Sequence, residues 1–305
     1  MTRVAVLHGG ISAEREVSLS SGQECAAALV EAGFEVIPID VSADPAALIE
    51  ALRAARPDAV FNALHGRYGE DGCVQGLLDW MRLPYTHSGL RASATAMDKA
   101  AAKAVFRAAG LPVAEQVLLS AAELEAADPL PMPYVIKPVN EGSSVGVHIF
   151  RAHDNRRAEI ARTWTYGQIL AEPFIPGREL TVAVLGDAAL TVTDITAHTE
   201  FYDYEAKYAA GGSTHTLPAA IHPAITAQAM QVALAAHQAL GCRGVSRADF
   251  RYDDTAGEPG RLILLEVNTQ PGMTPTSLVP EQAAYRGISF PALCALLVAE
   301  ARHGA

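Results

Sequence analysis

Residues 246 to 280 read SRADFRYDDTAGEPGRLILLEVNTQPGMTPTSLVP, in which two strand-like runs, Ala248 to Tyr252 and Leu262 to Val267, flank a polar link carrying glycine and proline. The pattern predicts an antiparallel pair. Side chains alternate along strands, so Arg247 and Asp249 share one face of the first run, and Leu264, Glu266 and Asn268 share one face of the second. Pairing then brings two carboxylates and an amide oxygen to one end of the hairpin. Hard oxygen ligands of this kind suit Mg²⁺, whose sphere is completed by water and phosphate. An arginine beside them can meet charge that develops during a reaction. The same residues also suit an ordinary polar strand end, and for Asp249 alone the two readings weigh equally. Glu266 closes the apolar run Leu262-Ile263-Leu264-Leu265, where a carboxylate without a partner is costly to bury.

Around this hairpin lies a chain of 305 residues, more than one core needs, so two or three domains are expected. No stretch of about 18 residues lacks a polar break, which argues against a spanning helix. Met1-Thr2-Arg3-Val4 enters a strand pattern without a signal-peptide core, and a soluble, cytoplasmic protein is expected. The four cysteines, Cys25, Cys73, Cys242 and Cys294, are far apart and form no C-x-x-C, so they are expected to be buried small hydrophobes. A net charge of -11 opposes non-specific binding to nucleic acid. Anionic ligands must therefore be held by local cations. The four lysines, Lys99, Lys103, Lys137 and Lys207, stand out in a chain with nineteen arginines. Where Arg is so favoured, a Lys suggests a place that needs a compact ammonium.

From the N-terminus, Val4 to Leu7, a helix over 14–31, Phe34 to Ile39, a helix over Pro45 to Ala55, and Asp58 to Leu64 alternate as strand and helix. This order predicts a parallel sheet covered by helices. Ligands of such sheets bind beyond the carboxyl ends of strands, where His8-Gly9-Gly10 and His65-Gly66-Arg67 fall. Glu14 and His65 suit a ligand site there, or a helix first turn and a polar strand exit. A second unit begins near Met97-Asp98-Lys99, with a helix over 100–109. It continues to the strand Tyr134 to Val139, which carries Lys137 into the turn Asn140-Glu141-Gly142-Ser143-Ser144-Val145-Gly146 and the strand Val147 to Phe150. A lysine beside a Gly/Ser turn grips phosphate well, although a hairpin turn with a snorkelling lysine has the same residues. The strand Ile169 to Ile175 offers an edge near Glu172 and Glu179 for a flat base and a ribose. The third unit holds strands over 179–185 and 190–195, then an aromatic and charged stretch over 201–213 that suits a closing flap. Ile225, Ala229, Val232, Ala236 and Leu240 mark one helix face, and a last helix is expected over 291–302.

Six strings resemble, in order and over essentially the whole chain, the D-alanine-D-alanine ligases of the ATP-grasp superfamily. They are HGGISAEREVS (8–18), ALHGRYGEDG (63–72), MDK (97–99), VIKPVNEGSSVG (135–146), FYDYEAKY (201–208) and EVNTQPGMT (266–274). The resemblance implies an α/β chain with α+β character in its C-terminal half. An N-terminal parallel-sheet domain over 1–97 would precede an ATP-grasp fold made of subdomains 98–180 and 181–305. It implies ATP-dependent joining of two D-alanines through an acyl phosphate, for peptidoglycan precursor synthesis, by a cytoplasmic homodimer without nucleic-acid or membrane partners. Position by position, it implies that Lys99, Lys137, Ser144 and Lys207 hold the ATP phosphates, that Glu172 and Ile175 meet the adenine, and that Glu179 meets the ribose. Asp249, Glu266 and Asn268 would ligate two Mg²⁺ ions, with Mn²⁺ as a substitute. Glu14 would anchor the ammonium of the first D-alanine near His65, and Ser277 and Leu278 would receive the carboxylate of the second. Ser143 and Tyr208 would link to Glu14 by hydrogen bonds. Arg247 and the Gly272 N–H would stabilise the tetrahedral oxyanion. Pro173, Thr269-Gln270-Pro271 and Thr274-Pro275-Thr276-Ser277 depart from the family's common pattern, Pro173 by removing a backbone donor and a lysine charge.

Overall fold

In the computed structural model, which describes residues 1–142, 144–197, 212–255 and 257–304, Val4 to Leu7 form the centre of strand β1 (Arg3–Gly9). All four are fully buried, as an apolar run without alternation requires of a strand covered on both faces. β1 runs parallel to β2 (Glu35–Val41) and β3 (Ala59–Asn62) in the order β2-β1-β3. Helix α1 (Arg15–Glu31) lays Cys25, Ala28 and Leu29 against Val4 and Val6. Helices α2 (Pro45–Ala55) and α3 (Cys73–Met81) lay Leu48, Leu52 and Leu78 against Ala5 and Leu7 on the other face. α2 starts where expected because the Asp44 carboxylate accepts the Ala46 N–H and Pro45 takes the first turn.

Helix α4 (Leu90–Met97) leads into α5 (Lys99–Ala108) through Asp98, whose side chain caps α5 by accepting from the Ala101 N–H. A second sheet follows, antiparallel in the order β4-β7-β5-β6, from β4 (Val117–Leu119), β5 (Tyr134–Pro138), β6 (His148–Phe150) and β7 (Ile169–Pro173). Helices α6 (Ala121–Ala126) and α7 (Arg157–Thr163) cover it, with Leu124, Tyr134, Ile136, Phe150 and Ile169 in its core.

The third sheet has the order β10-β9-β8-β11-β12, all antiparallel, from β8 (Arg178–Leu185), β9 (Ala188–Ala197), β10 (Ser213–Thr216), β11 (Val245–Asp253) and β12 (Arg261–Asn268). Helix α8 (Pro223–Leu240) packs on it through the expected face of Ile225, Ala229, Val232, Ala236 and Leu240, and Ala102 and Phe106 of α5 join the same cluster. Helices α9 (Leu278–Tyr285) and α10 (Phe290–Ala299) then cross back to the first sheet. There Val279, Ala283, Leu293 and Leu297 pack with Val4, Val6 and Phe61. No single helix among the described residues is long and apolar enough to cross a membrane.

Two expectations need correction. β11 and β12 pair as expected at Asp249↔Glu266, but the next pair is Phe250↔Leu264, which leaves Leu265 as the extra residue of a β-bulge. Parity inverts there, so Leu264 lies in the core with Phe250 instead of sharing the face of Glu266 and Asn268. Of the cysteines only Cys25 and Cys294 are buried; Cys242 is half-buried, and Cys73, at the start of α3, is exposed.

Candidate active site

Directly opposed residues of an antiparallel pair show their side chains on one face. Asp249↔Glu266 and Arg247↔Asn268 therefore gather the two carboxylates, the amide and the guanidinium at the hairpin's end. Asp249 is held firmly: its Oδ1 accepts from Thr181 Oγ1 at 2.7 Å, and Arg247 donates through Nε at 2.8 Å and Nη2 at 2.7 Å. Glu266 faces Lys99 Nζ at 3.3 Å, and Asn268 Oδ1 accepts the Gln270 N–H at 2.8 Å. Both carboxylates thus already face a cation of the chain. Two carboxylates and an amide, all hard oxygens on one face of the hairpin's end, fit a divalent cation completed by phosphate oxygens. Among the described residues no group of three or more His, Cys, Asp and Glu forms a metal cluster, because the third donor here is the amide of Asn268.

The bulge turns Leu265 and Glu266 together into a cavity of about 420 Å³ between the second and third sheets. Its walls carry Lys99, Lys137, Ser144, Glu172, Ile175, Glu179 and Asp249, all seven implicated by the sequence. Lys99 sits in the first turn of α5 and donates to the Glu141 carbonyl at 2.5 Å. Lys137, on β5, lies 2.7 Å from Glu172 Oε2. Burial pulls the Lys137 ammonium down to about 8, with Glu266 opposing and Lys99 reinforcing that shift. Ser144 has φ of 61°, the left-handed turn geometry that helps lay a backbone against an anion. β4 pairs with β7 only as far as Val117↔Ala171, so the free edge expected over 169–175 begins at Glu172. Glu179 is 3.7 Å from Arg251, which donates to the carbonyls of Ile175 and Gly177. Sequence reading passed over Arg251, although it continues the Arg247-Asp249 alternation. It also passed over Arg151, whose guanidinium lies 5.3 Å from the Phe174 ring centre.

A second cavity of about 530 Å³ opens on the other side of the hairpin's end. Glu14, His65, Arg247, Asn268, Gly272, Ser277 and Leu278 line it. Glu14 ends the turn before α1 and is tied to it through Ser12, whose Oγ accepts the Glu14 N–H and donates to the His65 carbonyl. His65 is nearly buried, with Nδ1 3.3 Å from Glu70 and Nε2 3.2 Å from Ser21. Gly272 lies tight against Ser277, since a Cβ there would stand 3.1 Å from Ser277 Oγ. Ser277 begins α9, so the free N–H groups of that helix border the cavity. Gln270, in the stretch that departs from the family's pattern, accepts from Asn62 Nδ2 of β3 through Oε1 and donates through Nε2 to the Asn62 backbone carbonyl, which fixes the hairpin's end to the first sheet. The hydrogen bond between His215 Nδ1 and Glu281, at 2.7 Å, gave no signal in the sequence, because β10 and α9 meet only in the fold. His8-Gly9-Gly10 borders neither cavity; Gly9 instead lies against the Arg15–Asp40 salt bridge. Ser143, Lys207 and Tyr208 lie outside the described residues, as do residues 201–211 of the expected flap over 201–213. The two cavities meet at Lys99, Glu141, Gly142 and Glu266.

Residues 105–299 match the family model described as D-ala D-ala ligase C-terminus, and residues 46–88 match the corresponding N-terminus. The chain is 66% identical to a D-alanine–D-alanine ligase of Granulibacter bethesdensis, covering 98% of this chain and 97% of the relative. It is also 66% identical to one of Acidiphilium cryptum, covering 99% of each. A crystal structure of the Bacillus anthracis D-alanine–D-alanine ligase complexed with ATP superposes with a TM-score of 0.82 at 28% identity, over 98% of this chain and 97% of that one. With both halves of the family pattern matched and relatives aligned along nearly its full length, the chain belongs to the D-alanine–D-alanine ligase family.

Proposed function

We propose that the protein joins two D-alanines to D-alanyl-D-alanine with cleavage of ATP to ADP and phosphate, supplying a precursor of peptidoglycan. The observation that carries this reading is the meeting of the two cavities at Lys99, Glu141, Gly142 and Glu266. A triphosphate lying along the first cavity ends there, against an amino acid's carboxylate held in the second. That carboxylate attacks the γ-phosphate to give an acyl phosphate and ADP. The amine of the second D-alanine then attacks the acyl carbon, and phosphate leaves as the amide forms.

The chain's own residues align and neutralise. Lys99 and Lys137 are placed for the phosphates, with Ser144 on the turn above, and Ser143 and Lys207 belong to the same reading. Glu172, Ile175 and Glu179 take the base and ribose. Asp249, Glu266 and Asn268 would hold two Mg²⁺ ions, or Mn²⁺, which offset charge on the phosphates. Glu14, near His65, anchors the first ammonium. The N-terminus of α9 at Ser277 and Leu278 receives the second carboxylate, as anions favour helix N-termini. Arg247 and the Gly272 N–H meet the tetrahedral oxyanion, and Tyr208 completes the Glu14–Ser143 link. The division into 1–97, 98–180 and 181–305 belongs to this reading and is supported by the three separate sheets. So does a cytoplasmic homodimer free of nucleic acid and membrane, for which the net charge of -11 supports only the first exclusion.

Phosphate release with ATP and D-alanine, L-alanine, D-serine and D-lactate, alone and in pairs, tests the reading. D-alanine alone should suffice and yield dipeptide. Phosphate release only when another acceptor is added would overturn it in favour of a mixed product.

A further inference from the structure

Lys103 lies on α5, and its side chain is only 1% exposed. A lysine is among the costliest side chains to bury, and this chain has only four. Its ammonium is in contact with Oε1 of Glu172, while Oε2 of the same carboxylate is 2.7 Å from Lys137. One buried carboxylate thus bridges two ammoniums of different standing. Lys137 lines the cavity of about 420 Å³; Lys103 lies behind its wall. A polyanion entering the cavity competes with Glu172 for the Lys137 ammonium. Glu172 would then be a buried carboxylate in a cavity whose walls include Val135, Phe174, Ile175 and Leu265, a setting in which a carboxyl protonates or swings out unless another cation holds it.

We propose that Lys103 is a positioning residue of the nucleotide cavity, the permanent counter-ion that keeps Glu172 ionised and in place when Lys137 turns to the phosphates. Burial, with Lys137 and Arg107 nearby, pulls the Lys103 ammonium below the usual lysine range, and Glu115 opposes that pull. Contact with the Glu172 carboxylate opposes that shift. An anionic acceptor fixed against an apolar slot favours a base that presents an amino N–H, so Lys103 supports the choice of adenine over hypoxanthine without touching either. The proposal rests on the ATP-dependent reading above.

The test compares wild type with Lys103→Met, in dipeptide formation and in calorimetric titration with ATP and with ITP. The expected result is a KM for ATP raised roughly ten-fold or more, as for a lost charged hydrogen bond, with kcat within about three-fold of wild type. The ATP-over-ITP preference should fall by about the same factor as the ATP affinity. An unchanged KM and base preference, with only a lower Tm, would make Lys103 merely structural and overturn the proposal. If Lys103→Met does not fold, Glu172→Gln is compared with the double variant lacking both charges, since removing both partners of a buried pair is far milder than removing one. Addition of Lys103→Met must then change ATP affinity by less than about two-fold, because its route through Glu172 is already gone; a further roughly ten-fold loss overturns the proposal. The titrations separate the two readings. A wild type that binds ATP but makes no dipeptide overturns the assigned reaction and leaves Lys103 to be judged on binding alone, whereas one that binds no ATP overturns both.

Discussion

At the scale of single residues the chemistry rests on a few charged groups whose loss should show in turnover before it shows in stability. Glu266→Gln is expected to lower dipeptide formation by roughly a hundred-fold or more, since a metal-held phosphate is worth several kcal/mol in the transition state. Its circular dichroism should match wild type, because the Glu266 side chain is partly exposed. Near-normal turnover by that variant would sink the metal role. Lys137 gives a pH prediction. Its folded pKa is depressed to about 8, so the charge needed for phosphate is present below that pH and is lost above it. At saturating D-alanine, kcat/KM for ATP should fall on the alkaline side with an apparent pKa near 8. Lys137→Arg, whose guanidinium stays charged, should lose that limb even though its absolute rate is lower. Gly272→Ala would place a Cβ 3.1 Å from Ser277 Oγ, and the displaced serine should raise the KM for the second D-alanine more than that for ATP. The proposed metal donors were legible because strand alternation is a local property. Arg251 lay on the same alternation and was overlooked. His215 and Glu281 could not be read from sequence, because their meeting depends on where β10 and α9 come to rest.

At the scale of elements, the sequence revealed what carries a period. β1 announced itself by an unbroken apolar run, α2 by its place over Pro45 to Ala55 in the alternation of strand and helix, and α8 by five apolar residues on one face. β4 and β10, of three and four residues, are too short to show any period, and the helices between 73 and 97 escaped because their apolar residues merge with neighbouring loops. The bulge at Leu265 was invisible for a different reason: one extra residue leaves the run Leu262 to Leu265 looking regular while reversing what faces the cavity. The joint between the second and third sheets depends on Gly177, with φ of 90° and a missing Cβ that would stand 2.1 Å from the Tyr252 carbonyl oxygen. Gly177→Ala is therefore expected to cost more than about 1 kcal/mol and to lower Tm, as a thermal melt would show. An unchanged melt would mean that the joint relaxes freely.

At the scale of the whole molecule, the three sheets were anticipated as units, but the return of the C-terminus was not, since a long-range contact leaves no mark on local pattern. Leu293 and Leu297 of α10 are buried against Val4, Val6 and Phe61, and Arg243 ties down the tail by donating to the carbonyls of Arg302 and Gly304. Leu297→Ala should cost about 2–5 kcal/mol by denaturant titration, a large share of a typical stability of about 5–15 kcal/mol. A loss within about 0.5 kcal/mol would show that α10 is not part of that core.

The same return path governs how the protein is born. Translation delivers β1 to β3 and the covering helix α1 early, yet the flank of that layer around Phe61 of β3 is closed only when α10 arrives. Completion of that flank therefore trails the rest of the layer, and a chain interrupted before α10 leaves its apolar side chains open to solvent.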